Sequence, residues 1–162
     1  VRDSVAAALA AGPPASLGGH TYAANPVVCA AGVAVLDYTA KHQLFDRVIP
    51  LGEHLFRRAR AVLGALPIVG DIRGKGLLMG LELVADRATR TPFPVEAGIA
   101  KRVADCAFYR GLYIQAGSGW ADGLPGDYPC LAPPYVATEV EIDRMIEILA
   151  EALREVQASI RH

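Results

Sequence analysis

The residues with the most chemical promise lie early in the chain. In Gly18-Gly19-His20-Thr21-Tyr22-Ala23-Ala24-Asn25-Pro26, a hydroxyl on Thr21 stands between a glycine pair and a helix start. Glycines let backbone N–H groups turn toward a ligand, and a helix N-terminus carries partial positive charge. Together with the Thr21 hydroxyl, these groups could receive a phosphate. The same residues would also serve a plain loop entering a buried helix. Other patterns offer less. Gly74-Lys75-Gly76-Leu77-Leu78-Met79-Gly80 precedes a strand, whereas a dinucleotide site needs a helix after its glycines. It reads as a hairpin turn, with Gly80 relieving crowding inside a strand, and Lys75 as a solvated turn charge. Gly117-Ser118-Gly119 has no helix after it, and Ser118 is not in a nucleophile elbow. His42 and His54 sit in helical stretches and read as surface residues, and Asp122 and Asp127 as turn formers.

Composition narrows the partners. The chain has 162 residues, 52% of them hydrophobic, with Lys+Arg 16 against Asp+Glu 17 and a net charge of −1. That is enough apolar material for a core and leaves no basic footprint for nucleic acid or an anionic membrane surface. No apolar run approaches the roughly 18–20 residues that span a bilayer, and no secretion signal opens the chain. Cys29, Cys106 and Cys130 are scattered and odd in number, which favours free thiols over disulfides or a thiolate zinc site. The expectation is a reduced, cytoplasmic protein. The opening Val1-Arg2-Asp3-Ser4-Val5 reads as the middle of a fold.

These residues need elements to hold them. Residues 3–11 predict a short helix ending before Gly12-Pro13-Pro14. Asn25-Pro26 is a good helix start, and the helix from Val27 to Leu36 is apolar on nearly every side, which predicts burial all round. A more amphipathic helix is expected from Leu44 to Leu66, bent near Pro50, with Arg57, Arg58 and Arg60 on its wet side. Two strands, Ile68–Arg73 and Leu77–Val84, join at Gly74-Lys75-Gly76. Val95–Arg110 predicts a helix, and Leu112-Tyr113-Ile114 a short strand. Ala116–Pro129 is expected to be a long loop, Cys130-Leu131-Ala132 a last strand. A capping box, Thr138 with Glu141, opens a final helix through Ile142, Ile146, Leu149, Leu153 and Val156. From residue 67 on, this order describes an α+β domain with a mixed or antiparallel sheet and helices on one face.

Four segments in register resemble class III (omega-type, fold type I) aminotransferases, which use pyridoxal phosphate. They are Gly19-His20-Thr21-Tyr22-Ala23-Ala24-Asn25-Pro26 with the helix after it, and Asp71-Ile72-Arg73-Gly74-Lys75-Gly76-Leu77-Leu78-Met79-Gly80-Leu81-Glu82, similar to the family's R-G-x-G-L-x-x-G-x-E strand pair. The others are Gly111-Leu112-Tyr113-Ile114, and Leu131-Ala132-Pro133-Pro134 with its following helix. The resemblance implies an α/β chain: residues 1–50 as the end of the large cofactor-binding domain, and residues 51–162 as the α+β small domain. It implies that Thr21, with His20 and Gly19, contacts the cofactor phosphate bound in the neighbouring subunit of a homodimer, making a composite site. It also implies small-molecule amine and carbonyl substrates.

The family's Schiff-base lysine is expected upstream of Val1, since Lys41, Lys75 and Lys101 do not occupy its motif. This chain alone is therefore expected to be inactive. Many members carry an arginine that grips a substrate carboxylate where this sequence has Gln115. Gln115 is thus a candidate substrate-binding residue that carries no charge. Two alternatives remain: aminomutase or decarboxylase chemistry on the same fold, and a non-catalytic dimerisation module.

Overall fold

A computed structural model describes residues 2–11, 20–119 and 125–160. The chain divides into two compact units, Val1–His42 and Gln43–His162.

The first unit contains α1 (Asp3–Ala11) and α2 (Pro26–Lys41). Asn25 caps α2 as its sequence predicts: the side-chain oxygen accepts the N–H of Val27 at 3.0 Å and that of Val28 at 3.3 Å. Pro26 takes a first-turn position where a missing N–H costs nothing. The expected burial of α2 is not found. Thr39 is its one buried residue, and Val27, Val33, Val35 and Leu36 are all exposed. The physical reason is a shortage of partners, because α1 buries no residue either and the described residues of the unit form no core in which to sink an apolar helix.

The second unit is built on one sheet. Its first helix, α3 (Leu44–Val62), runs through Pro50 and turns Leu51, Leu55 and Ala59 inward. Strands β1 (Val69–Lys75) and β2 (Leu78–Leu83) then form an antiparallel hairpin, with Arg73 opposite Gly80 and Lys75 opposite Leu78. The turn lies one residue later than expected, at Gly76-Leu77, and Gly76 has φ 58°, a conformation that favours glycine. Helix α3 backs directly onto this turn: a Cβ on Gly52 would lie 2.5 Å from the Gly76 carbonyl oxygen.

The predicted helix over Val95–Arg110 is divided. A single 3-10 turn, Val95–Ala97, is separated from α4 (Ile99–Tyr109) by Gly98 at φ 55°. Ile99 and Val103 are fully buried as expected, whereas Val95 is exposed. The predicted strand at Leu112-Tyr113-Ile114 is also displaced. Its alternation holds, with Leu112 and Ile114 buried and Tyr113 81% exposed, but no strand pairs with it. Pairing begins at the next residue, in β3 (Gln115–Ser118), which runs antiparallel to β4 (Asp127–Leu131). Much of the expected glycine-rich loop is therefore sheet. Gly117 makes this possible, since a Cβ there would meet the Tyr128 hydroxyl at 2.5 Å.

The sheet order is β1-β2-β4-β3, every pair antiparallel. The last helix, α5 (Glu139–Ile160), opens with the predicted capping box: Glu141 accepts the Thr138 N–H at 2.8 Å, and Thr138 Oγ1 accepts the Glu141 N–H at 3.3 Å. Strand alternation sets the two faces of the sheet. Met79, Leu81, Leu83 and Leu131 point into a core shared with Leu55 of α3, Ile99 and Val103 of α4, and Ile142, Ile146, Leu149 and Leu153 of α5. The opposite face carries Arg73, Gly80, Glu82, Tyr128, Cys130 and Gln115.

Candidate functional site

In the first unit, the chain approaches α2 through turns at Thr21–Ala24, closed by Ala23 N–H to the His20 carbonyl at 2.9 Å and Asn25 N–H to the Tyr22 carbonyl at 3.1 Å. Ala24 takes φ 58° to bring the strand of residues into the cap. His20 and Thr21 lie side by side here, both exposed, and the Thr21 hydroxyl has no hydrogen-bond partner among the described residues. Gly19 lies outside the described residues. The cap changes one sequence-based expectation. The first N–H groups of α2 are taken by Asn25 itself, whose side chain binds Val27 and Val28 and whose carbonyl takes Cys29 at 3.0 Å. Asn25 thus takes the first amides of α2, and the segment offers a phosphate the Thr21 hydroxyl with the helix dipole behind it. An exposed, unpartnered hydroxyl fits one end of pyridoxal phosphate, its phosphate group, and nothing more of it.

In the second unit, Gln115 opens β3 on the open sheet face, exposed and opposite Cys130. The register extends that pair into a cross-strand row: Arg73 opposite Gly80, Gly80 opposite Cys130, Cys130 opposite Gln115. Gly80 leaves the middle of the row low, since a Cβ there would rest 3.7 Å from Cys130 Sγ. Arg73, the cation of this row, is committed to acids on its own hairpin. Its guanidinium donates to Asp71 at 2.8 Å and to Glu82 at 2.6 Å. The hydrogen bond from Arg73 holds the Asp71 carboxyl below its usual range, and the bonds to Glu82 and Asp71 push Arg73 further up. The arginine and glutamate at the two ends of the R-G-x-G-L-x-x-G-x-E segment are thus partners across one hairpin. The sequence showed both residues but not their pairing.

Two residues read as bland from sequence prove to be structural anchors. His54 is buried, not a surface residue. Arg57 donates to its Nδ1 at 3.0 Å, so Nδ1 must accept, and the proton sits on Nε2, which donates to Asp143 at 2.8 Å. Arg58 joins the same carboxylate at 2.8 Å. Burial raises the Asp143 pKa, but these hydrogen bonds outweigh it and leave the group below its ordinary value. Asp127 is likewise more than a turn former. It is 3% exposed and accepts the Ala100 N–H of α4 at 2.8 Å. Here burial wins over that bond and pushes its carboxyl up. Asp122 lies outside the described residues. Among the described residues no cluster of His, Cys, Asp and Glu could hold a metal, and no helix is long and apolar enough to cross a membrane.

The family model for aminotransferase class-III matches residues 1–153. An aminotransferase of Schizosaccharomyces pombe, itself uncharacterized, is 34% identical over 146 residues, 90% of this chain and 32% of the relative. Taurine–pyruvate aminotransferase of Rhodobacter capsulatus is 40% identical over 129 residues, 80% of this chain and 28% of its own length. Among solved structures, an (S)-enantioselective omega-transaminase from Thermomicrobium roseum superposes with a TM-score of 0.79 at 31% identity, covering 96% of this chain and 33% of the transaminase. The chain thus spans about a third of the length of the relatives it matches. The family match takes in every described element up to α5 and most of that helix, and the chain belongs to the class III aminotransferases.

Proposed function

We propose that this chain is part of a pyridoxal-phosphate-dependent enzyme that passes an amino group from an amine or amino acid to a keto acid, aldehyde or ketone. The family match over residues 1–153 carries this reading. The first unit and the start of α3 (residues 1–50) are the end of the large domain, where neighbouring segments cover α2. Residues 51–162 are the small domain. The protein works in the cytosol as a homodimer.

When bound, pyridoxal phosphate supplies the electron sink for breaking bonds at the substrate α-carbon. The Schiff-base lysine is contributed by a part of the protein outside this chain. Thr21 would donate its hydroxyl to the phosphate of a cofactor held by the neighbouring subunit, and His20 and Gly19 are proposed as its companions in that contact. Gln115 faces the substrate and offers hydrogen bonds without charge. Because Arg73 is neutralised by Asp71 and Glu82, the row beside Gln115 supplies no uncommitted guanidinium for a substrate carboxylate. That arrangement favours acceptors or donors whose recognition at this point is not a carboxylate.

A nitrogen-15-labelled amine donor, given to the full-length protein with a carbonyl acceptor, tests the reaction class. Transamination places the label on a second molecule. A label that stays on the donor skeleton, or leaves only after decarboxylation, overturns it in favour of aminomutase or decarboxylase chemistry.

A further inference from the structure

The second unit carries a cleft that this catalytic reading does not use. It measures 380 Å³ and lies between α3 and the β1–β2 hairpin, at the lower end of the size range of small-molecule sites. Three cations reach it from two elements: Arg57 and Arg60 from α3, and Lys75 from the hairpin. Glu53 is the acid that lines it, so the wall carries an excess of positive charge.

What sets these three cations apart is that they meet at one cleft, since Arg47, Arg87, Arg90, Arg102 and Arg154 likewise form no ion pair among the described residues of the unit. Arg58, Arg73, Lys101, Arg110 and Arg144 are all paired with carboxylates. Arg57, Arg60 and Lys75 form no ion pair among the described residues, yet two of them are held in place. Arg57 is tied to the buried ring of His54 at 3.0 Å, and Arg60 lies 5.5 Å from the ring centroid of Phe56. Lys75 is exposed on the hairpin between Gly74 and Gly76. Ile49 and the half-buried Phe56 give the cleft an apolar wall. The close approach of Gly52 to Gly76 fixes its corner, because neither backbone can move inward.

We propose that this cleft is a second, non-catalytic binding site for a small organic dianion whose apolar body rests on Phe56 and Ile49 and whose charge meets Arg57, Arg60 and Lys75. It lies wholly within the second unit and does not depend on the roles given to Thr21 or Gln115.

Phenyl phosphate, titrated calorimetrically into the full-length protein already saturated with pyridoxal phosphate, is the probe. The expected result is saturable binding, one per subunit, several-fold tighter than inorganic phosphate. Lys75→Gln and Arg60→Gln are each expected to weaken it about tenfold, the loss of one charge-assisted contact. Both positions are exposed, so folding is not at risk, and Phe56→Leu should remove the preference for the phenyl ester over phosphate. Absence of saturable binding overturns the proposal. So do equal affinities for the two probes, affinities unchanged in Lys75→Gln and Arg60→Gln, or release of the cofactor as the probe binds.

Discussion

Val35 on α2 and Leu55 on α3 have the same preference for apolar surroundings, yet Val35 is 64% exposed and Leu55 is 0% exposed. The difference lies in what each unit can offer. Around Leu55, one antiparallel sheet and three helices enclose a core that reaches from Met79 to Leu153. Around Val35, the described first unit has two helices and one buried side chain, Thr39. Local sequence makes a helix in both places. Burial depends on neighbours, and only the second unit supplies its own.

Core substitutions should show the largest effects and define one side of this contrast. Leu153→Ala in the second unit is expected to cost about 2–5 kcal/mol, read from the urea midpoint, because it opens a cavity among residues with no room to collapse. Leu36→Ala sharpens the other side. If other segments cover α2 in the full-length protein, as proposed, the change costs about 2 kcal/mol there; a helix left in water loses less than ~0.5 kcal/mol. The second result would make α2 an exposed apolar helix and dissolve the large-domain assignment.

Within the second unit, two acids should behave in opposite ways. Asp143→Ala leaves the buried His54 Nε2–H without an acceptor and is expected to cost about 1–3 kcal/mol at neutral pH. Because the folded Asp143 pKa is lowered, its contribution is present above the ordinary carboxylate range and is lost as the pH falls through the lowered value. Asp127 has the reverse sign. Its pKa is raised by burial, so the native state loses stability as the pH rises through that raised value. Asp127→Asn keeps an acceptor for Ala100 N–H and removes the buried charge, and should raise the neutral-pH melting temperature slightly while flattening its pH dependence. Melting curves for both variants across acidic pH would break this picture if the slopes had the same sign.

The elements that sequence displays well are those governed by near neighbours. Asn25-Pro26 and the Thr138–Glu141 box start helices through contacts within three residues, and Gly76 marks its turn through its own backbone angle. Long-range pairing is what the sequence hides. Ala116 and Gly117 read as loop because nothing local shows that Pro129 and Tyr128 lie across from them. His54 reads as surface because its partner Asp143 is 89 positions away. At the candidate site, Thr21 was legible as a hydroxyl beside a helix start, but the cap that takes the first helix amides was visible only once Asn25 was placed.

The central claim is that the Thr21 hydroxyl serves the cofactor phosphate. It is tested most directly by the dissociation constant of pyridoxal phosphate for the full-length protein, measured beside Thr21→Ala and Thr21→Ser. The account predicts that alanine weakens retention by about tenfold or more, the loss of a hydrogen bond to a charged group, and that serine restores most of it. Equal affinity in all three proteins would contradict it.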